Sequence, residues 1–250
     1  MNSEEVLRFH RQYGKIHMKG VVSMRYHRIM RNWMIGLSFV FLLITILFSY
    51  LQIVYSDDVV YAILNNISIC ILTGSIIALL QFVIGYYNSK YSDLFTYYKD
   101  LVTLEEKITF YPYQHVGFVD SVSGLKEIRE ILDFYQSCVQ VSYKRLDFGG
   151  RNDQVLNAAK DLYKLYQNQI KPFVEFRDAL CDGVRFMGKS DEELLREGIT
   201  DIPKENQKMN SLLQAKENAV AKKYNDEIEH TKRSAAYKIL EEYLFGIKKD

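Results

Sequence analysis

Asn66, Cys70, Thr73, Gly74, Ile77 and Gln81 recur at helical spacing and would share one face of a helix. Two amides, a hydroxyl, a thiol and a glycine offer hydrogen bonding and close approach without charge. Such a face serves one of two ends. It packs tightly on a neighbouring helix, glued by side-chain hydrogen bonds, or it lines a conduction path in an oligomer. Either way it turns from lipid. Asp57 and Asp58 stand a few residues earlier. In an oligomer they would gather into an acidic outer mouth that favours cations, and alternatively they form a solvated turn.

A second set lies far along the chain. Lys144, Arg145 and Arg151 flank the Gly149, Gly150 pair, Lys160 and Lys164 follow, and Tyr143, Tyr163 and Tyr166 are interleaved. Cations for phosphates and aromatic faces for bases could bind a nucleotide or oligonucleotide ligand. The other reading is ordinary helix surface over core tyrosines. Asp147, Phe148 and Gly149 spell the metal-binding triplet of protein kinases, but no glycine-rich loop, strand lysine or catalytic-loop motif accompanies them, and the match is read as chance. His10, His17 and His27 have spacings unsuited to a metal site. Cys70, Cys138 and Cys181 form no metal or redox pair and are read as free thiols in a reducing compartment. No Ser, His, Asp set, paired carboxylate motif, phosphate loop or zinc spacing occurs. The expectation is a non-enzymatic protein with no catalytic residues, metal or cofactor.

The polar face must be positioned by a membrane helix. Asn32 to Ser56 and Val59 to Ser89 are uncharged stretches with only Asp57 and Asp58 between them. Each exceeds the roughly 20 residues needed to cross about 30 Å of hydrocarbon, and so short a link makes the two antiparallel neighbours. Residues 1–32 carry seven Lys or Arg against Glu4 and Glu5. Lys19, Arg25, Arg28 and Arg31 precede the first span and Lys90 and Lys99 follow the second, which places both termini in the cytoplasm of a plasma-membrane protein. The apolar run is too long and starts too late for a cleaved signal peptide.

Three parts are expected: a basic amphipathic helix over 1–31, a transmembrane hairpin over 32–89, and a cytoplasmic helical domain over 90–250. In the first, Val6, Phe9, Tyr13 and Ile16 form an apolar stripe, and the basic face lies either on anionic lipid or against the soluble domain. The second span runs on through Tyr91, Leu94, Phe95, Tyr98, Leu101, Leu104 and Ile108, ending near Pro112. Further helices are expected over about Leu125 to Leu146, and Asp153 to Met187 with Pro172 kinking or splitting it. A capping box at Ser190 to Glu193 opens a short helix, and Pro203 begins another. A thin stripe of Leu213, Val220, Tyr224 and Ile228, interrupted by Lys216 and continued by Ala235, Ile239, Tyr243 and Ile247, suggests one long surface or coiled-coil helix to the end. The only hint of strand alternation is a weak one over Phe110 to Val119. The fold class is therefore all-α, and oligomeric. Residues 90–250 hold 25 bases and 27 acids, which gives no footprint for duplex DNA.

This order of features resembles the SLATT families of bacterial two-transmembrane effectors, which accompany nucleotide-synthesising or nucleotide-sensing proteins in phage-defence loci. The residues that carry the likeness are His17 to Arg31 (HMKGVVSMRYHRIMR), and Gly74 to Ile108, where the second span enters a charged helix with Tyr97, Tyr98, Leu101 and Glu105. The likeness covers roughly residues 5 to 110. It implies an oligomeric membrane effector that opens a pore on a cytoplasmic signal and arrests the infected cell, and it supplies no catalytic residues. Its implied partners are the bilayer, further copies of the chain, and a nucleotide-synthesising or nucleotide-sensing protein. The alternatives are a non-conducting anchor for a helical interaction module and an accessory subunit of an enzyme.

Overall fold

A computed structural model of the protein describes residues 24–56, 58–109, 118–149 and 153–246, with the side chains of 118–123 excepted. Every regular element among them is helical: α1 (Met24–Val54), α2 (Val59–Thr109), α3 (Phe118–Phe134), a π-helical turn (Tyr135–Val139), α4 (Gln140–Arg145), α5 (Gln154–Met187), α6 (Asp191–Arg196), α7 (Ile202–Tyr224) and α8 (Glu227–Phe245). The amphipathic helix expected before Met24 and the break expected at Pro112 fall outside the described residues. So does most of the weak strand pattern, and its last residues, Phe118 and Val119, are helical.

The chain divides into two compact units, residues 1–93 and 94–250. In the first, α1 and α2 are each long and apolar enough to cross a membrane, and they point to a membrane location. α1 starts earlier than the uncharged run, because Arg25, Arg28 and Arg31 are already helical. Apolar side chains cover the outside of the hairpin, as expected where the surroundings are acyl chains. Tyr26, Trp33, Tyr87 and Tyr91 are exposed toward the arginine-bearing end, and Tyr50 and Tyr55 toward the turn. Trp33 and Tyr50 lie about 26 Å apart along α1 at 1.5 Å per residue, which fits two aromatic girdles at the edges of a bilayer core.

In the second unit, Leu94, Tyr97, Leu101, Leu104 and Ile108 are fully buried at alternating steps of three and four. The helical reading of this stretch is therefore correct in kind, while Tyr91 and Phe95 stand exposed. α3, the π turn and α4 form one continuous run that buries Ile128, Ile131, Leu132, Tyr135 and Val139. α5 is the central element, burying Leu156, Ala159, Leu162, Tyr166, Ile170, Phe173 and Phe176. It passes through Pro172 as a single helix and is not split there, because Gln169, Ile170, Phe173 and Phe176 anchor the turns on both sides in the core. Asp153 caps its start, accepting from the Val155 and Leu156 amides.

The capping box of α6 is present, with Ser190 and Glu193 each bonding the other's backbone N–H. The long terminal helix is instead two helices. α7 stops at Tyr224, Asp226 caps α8 by accepting from Ile228 and Glu229, and Lys223 pairs with Glu229 across the break at 2.5 Å. The buried face of α8 is Arg233, Ala236, Leu240 and Leu244, one residue off the Ala235, Ile239, Tyr243 stripe. Ile228 is exposed.

Candidate functional site

α1 and α2 pack through a face of α2 that repeats every three and four residues: Asn65, Ser68, Leu72, Ser75, Leu79, Phe82 and Tyr86. Ser68, Ser75 and Tyr86 are buried and the others half-buried. Near the turn, Ser49 donates to the Asn65 side-chain Oδ1 at 2.9 Å, and the Asn65 side-chain amide donates to the Gln52 Oε1 at 2.6 Å. Ser68 and Ser75 return their hydroxyls to the carbonyls of Asn65 and Leu72. These polar residues clasp the hairpin internally.

At the other end His27 lies where Gly85 has no side chain. A Cβ there would stand 2.6 Å from the imidazole. Tyr26 and Phe82 flank the ring at centroid distances of 5.8 and 6.3 Å. Arg31 stacks over Tyr86 at 5.1 Å, a cation–π contact next to the exposed Trp33.

The six residues singled out from sequence occupy the other side of α2. Asn66, Cys70, Thr73, Gly74, Ile77 and Gln81 are all exposed. With 100° per residue, their mean direction lies about 180° from the packed face. Nothing stands within 4 Å of a Cβ placed on Gly74. Thr73 satisfies its hydroxyl on the Ile69 carbonyl at 2.9 Å. α2 thus has two polar faces, one used by α1 and one uncovered among the described residues. The packed set was missed from sequence although its three-and-four repeat is present there; Asn65 and Asn66 adjoin, and only the second was placed on a face.

Asp58 caps α2: its carboxylate accepts from the Val60 N–H at 2.9 Å, and its backbone carbonyl accepts from Tyr61 at 3.2 Å. Asp57 lies outside the described residues, so the acidic pair is represented by a residue with a structural task.

The basic set of the helical domain lies at the end of α4 and along the first turns of α5. Lys144, Lys160 and Lys164 are exposed, Arg145 is half-buried, and Arg151 lies outside the described residues. Lys164 sits 4.0 Å from Asp161 and lines a cleft of about 600 Å³ with Lys232, Gln154 and Asn157, which none of Lys144, Arg145 and Lys160 lines. The interleaved tyrosines already have partners. Tyr143 and Tyr163 stack on one another at 3.8 Å and 4°, with Tyr97 and Phe148 against Tyr143 at 5.8 and 5.0 Å. Tyr97 donates to the Ala159 carbonyl at 3.2 Å. Burial, then the neighbouring tyrosines, holds the Tyr97 hydroxyl well above its ordinary range. Asp147 of the kinase-like triplet accepts from Gly149 N–H at 3.2 Å, the local turn such an Asp–x–Gly sequence favours.

Behind these lies a buried polar network that periodicity gave no sign of. Tyr166 donates to Glu105, and its hydroxyl meets that of Tyr237 at 2.8 Å. Arg233, 4% exposed, donates to Gln169, lies 3.7 Å from Glu105 and stacks over Tyr166 at 5.8 Å. Burial is the first cause raising the Tyr166 and Tyr237 hydroxyls. Among the described residues no group of three His, Cys, Asp or Glu is placed to hold a metal ion.

The described residues are helical in every regular element, and two long apolar helices among them point to a membrane location. Comparison with protein families, curated proteins and solved structures finds no match to this chain.

Proposed function

We propose that the protein is a membrane pore-forming effector, built from several copies of the chain, closed at rest and opened by a signal received by the helical domain. The observation that carries this reading is the uncovered, uncharged polar face of α2. In hydrocarbon the amides of Asn66 and Gln81 would lose hydrogen bonds worth several kcal/mol each by transfer scales, whereas water in a lumen or a second copy satisfies them. α2 also supplies a route for the signal, since one helix runs from the hairpin to Thr109. Moving such an equilibrium from 1:99 to 99:1 needs about 5.5 kcal/mol of differential binding, within reach of several sites acting together.

Arg25, Arg28, Arg31 and Lys90 at one end of the hairpin, with Asp57 and Asp58 at the other, support a plasma-membrane protein with both termini in the cytoplasm. The likeness to SLATT effectors supports a role in bacterial anti-phage defence, in which depolarisation stops growth and the signal is a nucleotide or a partner protein. Purified full-length protein in liposomes tests the reading. Activated protein passes small ions, and joint replacement of Asn66, Thr73 and Gln81 by Leu abolishes the flux while the helical domain still folds. Flux unaltered by that triple change overturns it.

A second reading, a non-conducting anchor for a helical interaction domain, is favoured by one finding: Ser49, Gln52 and Asn65 satisfy one another inside a single hairpin. An anchor shows no flux under any activating condition.

A further inference from the structure

α1 carries a groove of about 490 Å³ lined by Asn32, Trp33, Gly36, Leu37 and Val40. At 100° per residue it lies nearly opposite His27 and Ser49, which meet α2. We propose that this groove holds one anionic phospholipid, its headgroup against Arg31 and an acyl chain along Gly36 and Val40.

The depth of the groove fits a lipid. From Asn32 to Val40 it runs about 12 Å at 1.5 Å per residue, most of the roughly 15 Å of hydrocarbon in one leaflet. Trp33, 75% exposed at the arginine-bearing end, marks where that hydrocarbon begins. Gly36 opens the space, since no described atom stands within 4 Å of where its Cβ would be. Farther down, the same face continues in Leu43 and Leu47, large and exposed, and the groove stops at Val40 inside a single leaflet. A transmembrane helix seated here would need the seam to continue across the bilayer. One acyl chain does not.

Charge selects the headgroup. The Arg31 guanidinium lies over the Tyr86 ring at 5.1 Å and donates from Nε and Nη2 to the Asn32 Oδ1 at 3.4 and 3.3 Å. Ring and amide are neutral, so they hold the guanidinium at the rim of the groove without cancelling its charge. Two of its five N–H donors are used, and the rest of the fork suits a phosphate. Arg25 is exposed on the same face, since Arg25, Ile29, Asn32, Gly36 and Val40 follow at steps of four and three. No acid occurs in the sequence between Glu5 and Asp57. A second copy packed here in parallel would bring its own Arg25 and Arg31 to the same depth, where like charges repel. An anionic lipid brings the opposite charge. The site rests on the membrane location and is independent of conduction.

Trp33 is the sole tryptophan, so its fluorescence reads the groove directly. Full-length protein is reconstituted in phosphatidylcholine vesicles in which an equal fraction of the lipid is either phosphatidylglycerol or phosphatidylcholine brominated on its acyl chains. Brominated phosphatidylglycerol is expected to quench Trp33 more strongly. Arg31→Gln lowers that preference about fivefold, the factor that one cation near an anionic surface supplies. Gly36→Leu fills the groove with every charge in place and abolishes the preference, while Lys222→Gln on α7 leaves it unchanged. Because no neighbour crowds Gly36, the Leu variant keeps the parent's helix content by circular dichroism, and it carries the test should Arg31→Gln loosen the hairpin. Equal quenching by the two lipids overturns the site, as does a preference that survives either Arg31→Gln or Gly36→Leu. Weak quenching by both that strengthens as protein is diluted in the vesicles places a second copy in the groove and also overturns it. Ion flux is a separate measurement, so its absence counts against the pore and leaves the lipid site standing.

Discussion

At Gly85 the missing side chain does the packing. The imidazole of His27 occupies the slot, and its Nδ1 is buried without a hydrogen-bond partner. A methyl group there would be met by swinging the ring aside, whereas a leucine would need the whole slot. Gly85→Leu is expected to cost about 2 kcal/mol by overpacking, read as a lower melting midpoint of the protein in detergent. His27→Ala should recover part of that loss. If the double variant is no more stable than Gly85→Leu alone, the ring is not what Leu displaces. Asp58 makes a related point about residue roles. Its charge drew attention as one half of an acidic mouth, while its carboxylate is engaged at the start of α2. Composition shows that a carboxylate is present; only geometry shows which N–H it holds.

At the scale of helices, α2 explains both what the sequence revealed and what it hid. Its length and its passage from apolar to charged surroundings were legible, because steps of three and four persist from Leu94 to Ile108. The polar face from Asn66 to Gln81 was legible for the same reason. The opposite face was not, since Ser68 and Ser75 look unremarkable until α1 is laid against them. The stripe on α8 was displaced by one residue because Arg233, buried by its bonds to Gln169 and its nearness to Glu105, occupies a core position that a hydrophobic pattern skips. The break at Asp226 escaped notice because a three-and-four stripe can continue across two helices, and the cap supplies the stop. Asn65 offers a direct test of the packed face. Asn65→Ala removes the two side-chain bonds that Asn65 makes to α1, and interhelical bonds in membranes average about 0.6 kcal/mol, so a loss of about 1 kcal/mol is expected. Asn66→Ala, on the uncovered face, should leave the stability of the isolated chain in dilute detergent unchanged. Equal losses at the two positions would refute the assignment of faces.

For the molecule as a whole, two titrations separate what each unit contributes. Tyr97, Tyr98, Tyr135, Tyr166 and Tyr237 all have hydroxyls raised by burial, and Tyr98 reaches about 12 against an ordinary value of 10.0. Above pH 10 the unfolded chain releases these protons before the folded one does, so the stability they lend is complete below pH 10 and declines as pH rises toward and past 12. Helicity of residues 94–250 should therefore fall together with the last fraction of the tyrosinate absorbance to appear. Complete development of the tyrosinate absorbance near pH 10 with helicity intact would contradict the buried network. The hairpin is probed through Cys70, exposed on the uncovered face of α2, with Cys138 and Cys181 replaced by Ser. In the proposed assembly Cys70 faces a water-filled lumen when the pore is open. A charged, membrane-impermeant thiol reagent should then modify it only under activating conditions and reduce ion flux as it does so. Ser68→Cys in a Cys70→Ser background, on the face that α1 covers, should resist the same reagent in both states. If Cys70 is inert to the reagent but forms a disulfide with a second copy, whose Cα must then lie within about 7 Å, the face is a packed seam between chains and water does not reach it.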